Sequence, residues 1–126
     1  MHAQEKEKFI GEVRLMNVVE AECTFRGDLY EIRFRDVKKR RFPKYASFHF
    51  KGRENYFKLK NRVLKGFDNI PEEPQLLDFT EEQVELEFTK SPGMESFRFV
   101  MISSKKDKRT YSSWFSNGKA EKLFGI

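Results

Sequence analysis

Apolar residues fall on every second position from Phe9 to Phe25. Phe9, Gly11, Val13, Leu15, Val19, Ala21, Cys23 and Phe25 share one parity, while Glu12, Arg14, Glu20, Glu22 and Thr24 occupy the other. Period two is the signature of a half-buried strand, so the pattern predicts one long strand, with Gly11 a place for a bend or bulge. Arg26-Gly27-Asp28 supplies a turn. A second strand over Leu29–Val37 turns Tyr30, Ile32 and Phe34 one way and Leu29, Glu31, Arg33 and Arg35 the other. A third over Lys44–Lys51 turns Ala46, Phe48 and Phe50 inward and Tyr45, Ser47, His49 and Lys51 outward.

The period then changes. Tyr56, Leu59, Val63 and Phe67 recur at helical spacing, which predicts a helix from about Glu54 to Lys65, ended by Gly66. An acidic connection with Pro71 and Pro74 follows. Val84, Leu86 and Phe88 alternate with Glu85 and Glu87 as a fourth strand. Ser91-Pro92-Gly93 turns the chain, and Phe97, Phe99 and Met101 make a fifth. Residues 103–126 are rich in Lys and Ser and read as a tail, with Leu123 and Phe124 available to dock on the body and Trp114 and Phe115 reading either as docking anchors or as contacts for a base or a partner. No internal repeat is visible. Cys23 lies on the apolar parity and reads as a small core residue.

Charge changes this picture. Thirteen lysines and arginines crowd between Arg33 and Lys65 against only Asp36 and Glu54, with aromatic rings threaded among them. The next stretch, Gly66 to Thr89, holds eight carboxylates and no Lys or Arg, so the net charge of +5 conceals a strong separation. A concentrated positive field suits a phosphate backbone, and interleaved rings offer faces on which bases stack. The plainer reading is a solvated basic surface.

The order β-β-β-α-β-β resembles the OB-fold, a five-stranded Greek-key barrel, and the chain is expected to be mainly β. With "YFKLKNRVLKGF" as the short basic helix and "QVELEFTKSPGMESFRFV" as the last hairpin, residues 9–102 resemble the small single-stranded DNA-binding proteins of phages and mobile elements. The resemblance implies an OB-fold-like nucleic-acid-binding domain over 9–102, followed by a basic, aromatic tail over 103–126. The carboxyl end, "KAEKLFGI", departs from bacterial single-strand binding proteins, having a hydrophobic tip without their acidic run. In such a sheet the outward face of strands two and three is the ligand platform. That places the site at Arg33, Arg35, Lys38, Lys39, Arg40, Arg41, Phe42, Lys44, Tyr45, His49 and Lys51, cations on phosphates and Tyr45 and His49 on bases. Phe42, ahead of Pro43, reads either as a stacking finger or as a plug on the barrel mouth.

Nothing nominates a catalytic centre. His2 and His49 are the only histidines, Cys23 is the only cysteine, and no glycine-rich phosphate loop occurs, so no metal, cofactor or enzyme activity is expected. The partner expected is single-stranded nucleic acid, DNA favoured. The alternatives are an RNA-binding module, or a phage or mobile-element protein that inhibits or binds a protein partner through its tail or acidic segment. With no membrane span and no signal-peptide core among the first residues, the expected location is cytoplasmic.

Overall fold

The alternation from Phe9 to Phe25 folds as a hairpin rather than as one bent strand. The computed structural model describes residues 6–39, 41–91, 94–105 and 108–126. In it β1 (Lys8–Leu15) turns at Met16 and Asn17 into β2 (Val18–Arg26). Two residues of turn shift the parity of the second strand by one. A bulge at Glu20, where Val13 pairs with Ala21 and Arg14 with Val19, shifts it back. Val13, Ala21 and Cys23 therefore all face inward, and the periodicity runs unbroken through the turn. Met16 holds a left-handed φ of 57°, an unusual conformation for a residue with a side chain.

β3 (Leu29–Arg35) and β4 (Tyr45–Lys51) complete an antiparallel sheet in the order β1-β2-β3-β4. Helix α1 (Arg53–Asp68) follows, running past Gly66, whose missing side chain leaves room for the Phe88 ring. β5 (Gln75–Leu77), β6 (Gln83–Ser91), β7 (Met94–Ser103) and β8 (Lys108–Tyr111) form a second meander, and α2 (Asn117–Leu123) closes the chain. The Ser116 hydroxyl caps α2 by accepting the Lys119 N–H at 3.3 Å.

The chain is mainly β, as the alternation requires, but its architecture is two open four-stranded meanders rather than a closed five-stranded Greek-key barrel. Three strands and a helix go beyond the expected order: the second half of the first hairpin, β5 in the acidic connection, and β8 and α2 beyond residue 103. The segment expected as a tail buries Phe115, Ala120, Leu123 and Phe124 in the same core as the sheets. The order is thus ββββα twice over, a repetition that the hydrophobic periodicity does not show.

The two inner faces meet through aromatic rings. Phe99 of the second sheet lies 6.0 Å from Phe34 and 5.3 Å from Phe48 of the first, centroid to centroid. Helix α1 lays Tyr56, Leu59, Val63 and Phe67 into this core, with Tyr56 stacked at 5.0 Å on Tyr30. Burial pushes the Tyr56 hydroxyl up to about 12, and that hydroxyl donates to the Phe124 carbonyl at 3.2 Å. Gly11 is where α2 comes closest. A Cβ there would lie 2.1 Å from the Lys122 carbonyl oxygen. Each fully buried Phe contributes about 1.5–3 kcal/mol of transfer free energy. No helix among the described residues is long and apolar enough to cross a membrane.

Candidate nucleic-acid interface

β3 and β4 expose one parity. Arg33 pairs in register with Ser47, Arg35 with Tyr45 and Glu31 with His49, so these side chains share the outer face while Ile32, Phe34 and Phe48 fill the core. The Arg33 guanidinium lies over the Tyr45 ring at 4.4 Å. Tyr45 itself is 36% exposed. Planar cation on ring is an arrangement worth about 0.5–1 kcal/mol at an exposed site.

The outer face is not of one sign. β2 brings Glu20 and Glu22 beside the arginines. Arg33 Nε lies 3.2 Å from Glu22, and Arg35 lies 3.6 Å from Glu20, whose side chain is buried. Cross-strand pairs of this kind contribute about 0.2–1 kcal/mol each and offset part of the arginines' field. This neutralisation is invisible along the chain because the partners stand 11 and 15 residues upstream, on another strand.

His49 is engaged edge-on. Its Nδ1 lies 2.8 Å from Glu82 and its Nε2 2.9 Å from Glu31, while its backbone N–H donates to Glu82 at 2.7 Å. Desolvation opposes the charged ring, but the hydrogen bonds to Glu82 and Glu31 outweigh it and raise the pKa above 6.5. The ring is thereby a clasp between the two sheets, since Glu82 precedes β6. Among the described residues His49, Glu81 and Glu82 bring potential metal-ligand atoms within 4.8 Å of one another. Both ring nitrogens already face carboxylates at hydrogen-bond distance, which is the environment of an imidazolium.

The loop between β3 and β4 carries the unpaired charge. Asp36 fixes its base: its carboxylate accepts the Lys38 N–H at 3.0 Å and its own N–H donates to the Lys44 carbonyl at 2.8 Å. Beyond it Lys38, Lys39, Arg41, Phe42 and Lys44 are all exposed, Phe42 to 74%. None of these four cations pairs with a carboxylate among the described residues. Arg40 lies outside the described residues, as do His2, Pro92 and Gly93. With no barrel to close, Phe42 is no plug.

The basic stretch is therefore divided. Arg33, Arg35, Lys38, Lys39, Arg41, Phe42, Lys44 and Tyr45 gather at one end of the first sheet. Lys51 stands at the far end of β4, six residues from Tyr45, or about 20 Å. The helix cations Lys58, Arg62 and Lys65 are exposed on α1, whose buried side packs against the inner face through Tyr56 on Tyr30, whereas Arg33 and Arg35 belong to the outer face.

Residues beyond the basic stretch join the same surface, Trp114 of the expected tail among them. The Val37 N–H donates to the Tyr111 carbonyl at 3.1 Å, and the Ser113 hydroxyl lies 3.4 Å from Glu20, so the two outer faces adjoin. Lys38 Nζ lies 5.2 Å from the Tyr111 ring. Arg98 stands against two rings, Tyr111 at 4.3 Å and Trp114 at 4.4 Å. The acidic segment is likewise committed to the second sheet: Glu85 pairs with Arg109 at 3.1 Å and Glu87 with Arg98 at 3.2 Å. Compared with protein-family models, curated proteins and solved structures, the chain matches none.

Proposed function

We propose that this chain binds single-stranded DNA without catalysis, through the β3–β4 loop and the Arg33–Tyr45 face beside it. The observation that carries the reading is a loop of exposed cations without carboxylate partners among the described residues, set next to a guanidinium stacked on a half-exposed tyrosine. Lys38, Lys39, Arg41 and Lys44 neutralise phosphates, and counterion release makes that the dominant, sequence-independent part of affinity. Tyr45 and Phe42 offer faces to bases, which in single strands are free to stack. His49 belongs to the inter-sheet clasp and Lys51 to the far end of the strand; neither is needed for this contact. Fluorescence anisotropy with single-stranded DNA, duplex DNA and RNA of equal length tests the proposal. Tightest binding to the DNA single strand supports it, and no binding at low salt refutes it. Preference for RNA moves the ligand class, because the 2′-hydroxyl is what distinguishes the two.

A second reading rests on a different feature. The β1–β2 tip presents Leu15 and Met16, the latter 91% exposed, at the same end of the sheet as the cationic loop. An apolar tip beside a basic loop suits an acidic protein partner. A pull-down that survives nuclease treatment and is lost on Met16→Asp favours this reading.

A further inference from the structure

The outer faces of the two ββββα units carry the same cluster. In the first, Glu22 of the second strand pairs in register with Arg33 of the third, whose guanidinium covers Tyr45 of the fourth. In the second, Glu87 of the second strand pairs in register with Arg98 of the third, whose guanidinium covers Tyr111 of the fourth. The distances repeat as well: 3.2 Å for both ion pairs, then 4.4 Å and 4.3 Å from guanidinium to ring. Glu and Arg are eleven positions apart in both units, and a serine, Ser47 or Ser113, follows each tyrosine by two. Elsewhere the equivalent outer positions differ: Arg35 answers to Val100 and Glu31 to Ser96. The cluster recurs while its surroundings do not.

We propose that the Glu87–Arg98–Tyr111 cluster, with Trp114, is a second base-stacking site for single-stranded DNA, equivalent to Glu22–Arg33–Tyr45 and reached by the same strand. The inference rests on the function proposed above and extends it across the seam. In each cluster the glutamate is ion-paired with the guanidinium, at Nε of Arg33 and at a terminal nitrogen of Arg98, beside the face that covers the ring. The second cluster adds Trp114 on Arg98, and that ring is 39% exposed. Indole offers the largest face on which a base stacks, reinforced by the cation beneath it. The cationic loop joins the two sites: Lys38 reaches the Tyr111 ring, and Val37 is hydrogen-bonded to the Tyr111 backbone. A strand neutralised by the loop meets Tyr45 on one side and Trp114 on the other. Occupying both makes the second contact intramolecular, so oligomers long enough to span the seam bind more tightly than short ones.

Trp114 is the only tryptophan of the chain, so its emission reports this site alone. The unaltered protein is titrated with unlabelled oligothymidylates of increasing length, and anisotropy of labelled oligomers is read in parallel. The expected result is quenching of Trp114 that saturates with the anisotropy signal once the oligomer spans both sites. Trp114→Ala then weakens binding of the long oligomer by roughly 5- to 150-fold and leaves the salt dependence unchanged. Binding seen by anisotropy with no change in emission, and no loss in the variant, overturns the second site and leaves the first in place. Absence of binding to the unaltered protein overturns both. The emission of the unaltered chain decides even if the variant folds poorly.

Discussion

Alanine at Tyr45 and alanine at Phe48, three residues apart on one strand, are expected to have opposite consequences. Phe48 is fully buried, its ring 5.3 Å from Phe99 and 6.4 Å from Phe50. Truncating such a side chain removes its transfer free energy and leaves a cavity, together about 3–5 kcal/mol. For a chain of this length that lowers Tm by roughly 10–20 °C. Tyr45 lies on the outer face, 36% exposed, with the Arg33 guanidinium over its ring, so Tyr45→Ala removes about 0.5–1 kcal/mol of cation–ring attraction and a few degrees at most. Its effect falls on binding, about 1–3 kcal/mol for one stacked base, with no change in salt slope because stacking releases no counterions. Thermal melts followed by circular dichroism and anisotropy titrations of both variants make the comparison. If Tyr45→Ala unfolds the protein while Phe48→Ala keeps its Tm and only loses affinity, the assignment of inner and outer faces is refuted.

Two further outcomes probe the frame around the site. The raised pKa of His49 means that its clasp to Glu31 and Glu82 contributes fully below the unfolded value of 6.5 and is lost as pH rises through the higher folded value. Urea titrations should therefore show a stability gap between the unaltered chain and His49→Gln that is widest near pH 6 and shrinks toward pH 9; a gap independent of pH contradicts the charged clasp. Gly11→Ala sets a Cβ against the Lys122 and Leu123 carbonyls and should destabilise by about 1–3 kcal/mol, with faster hydrogen exchange in α2. Unchanged stability there means that α2 does not rest on β1.

Where the chain pattern and the fold agree, one strand or helix with a single buried face is responsible. Tyr30, Ile32 and Phe34 on β3, Phe48 and Phe50 on β4, and Tyr56, Leu59 and Val63 on α1 all face the core at the periodicity their spacing implies. The first hairpin escaped because Met16 and Asn17 turn the chain without glycine or proline, and the Glu20 bulge restores the parity that the turn disturbs. β8 is four residues long, begins with Lys108-Arg109, and is held by pairing with β7 rather than by its own alternation. Gly66 reads as a helix end in sequence but is a packing position under Phe88. At the site, the loop cations and Tyr45 are legible because they are local. The carboxylates that neutralise Arg33 and Arg35, and the Arg98–Tyr111–Trp114 stack, are set by strand register, which no linear spacing announces.

Salt dependence of single-stranded DNA binding, measured on the unaltered chain and on Lys39→Ala/Arg41→Ala/Lys44→Ala, tests the central claim most directly. The five loop cations, Arg40 included, give log affinity against log salt a slope of about −3.5 when all meet phosphates, and removing three of them leaves about −1.4. The variant should keep its Tm, since exposed loop charges contribute little to folding. A steep slope that flattens in the variant is the result the account predicts. A slope near zero in the unaltered chain, or the same slope in both, contradicts a phosphate-binding loop.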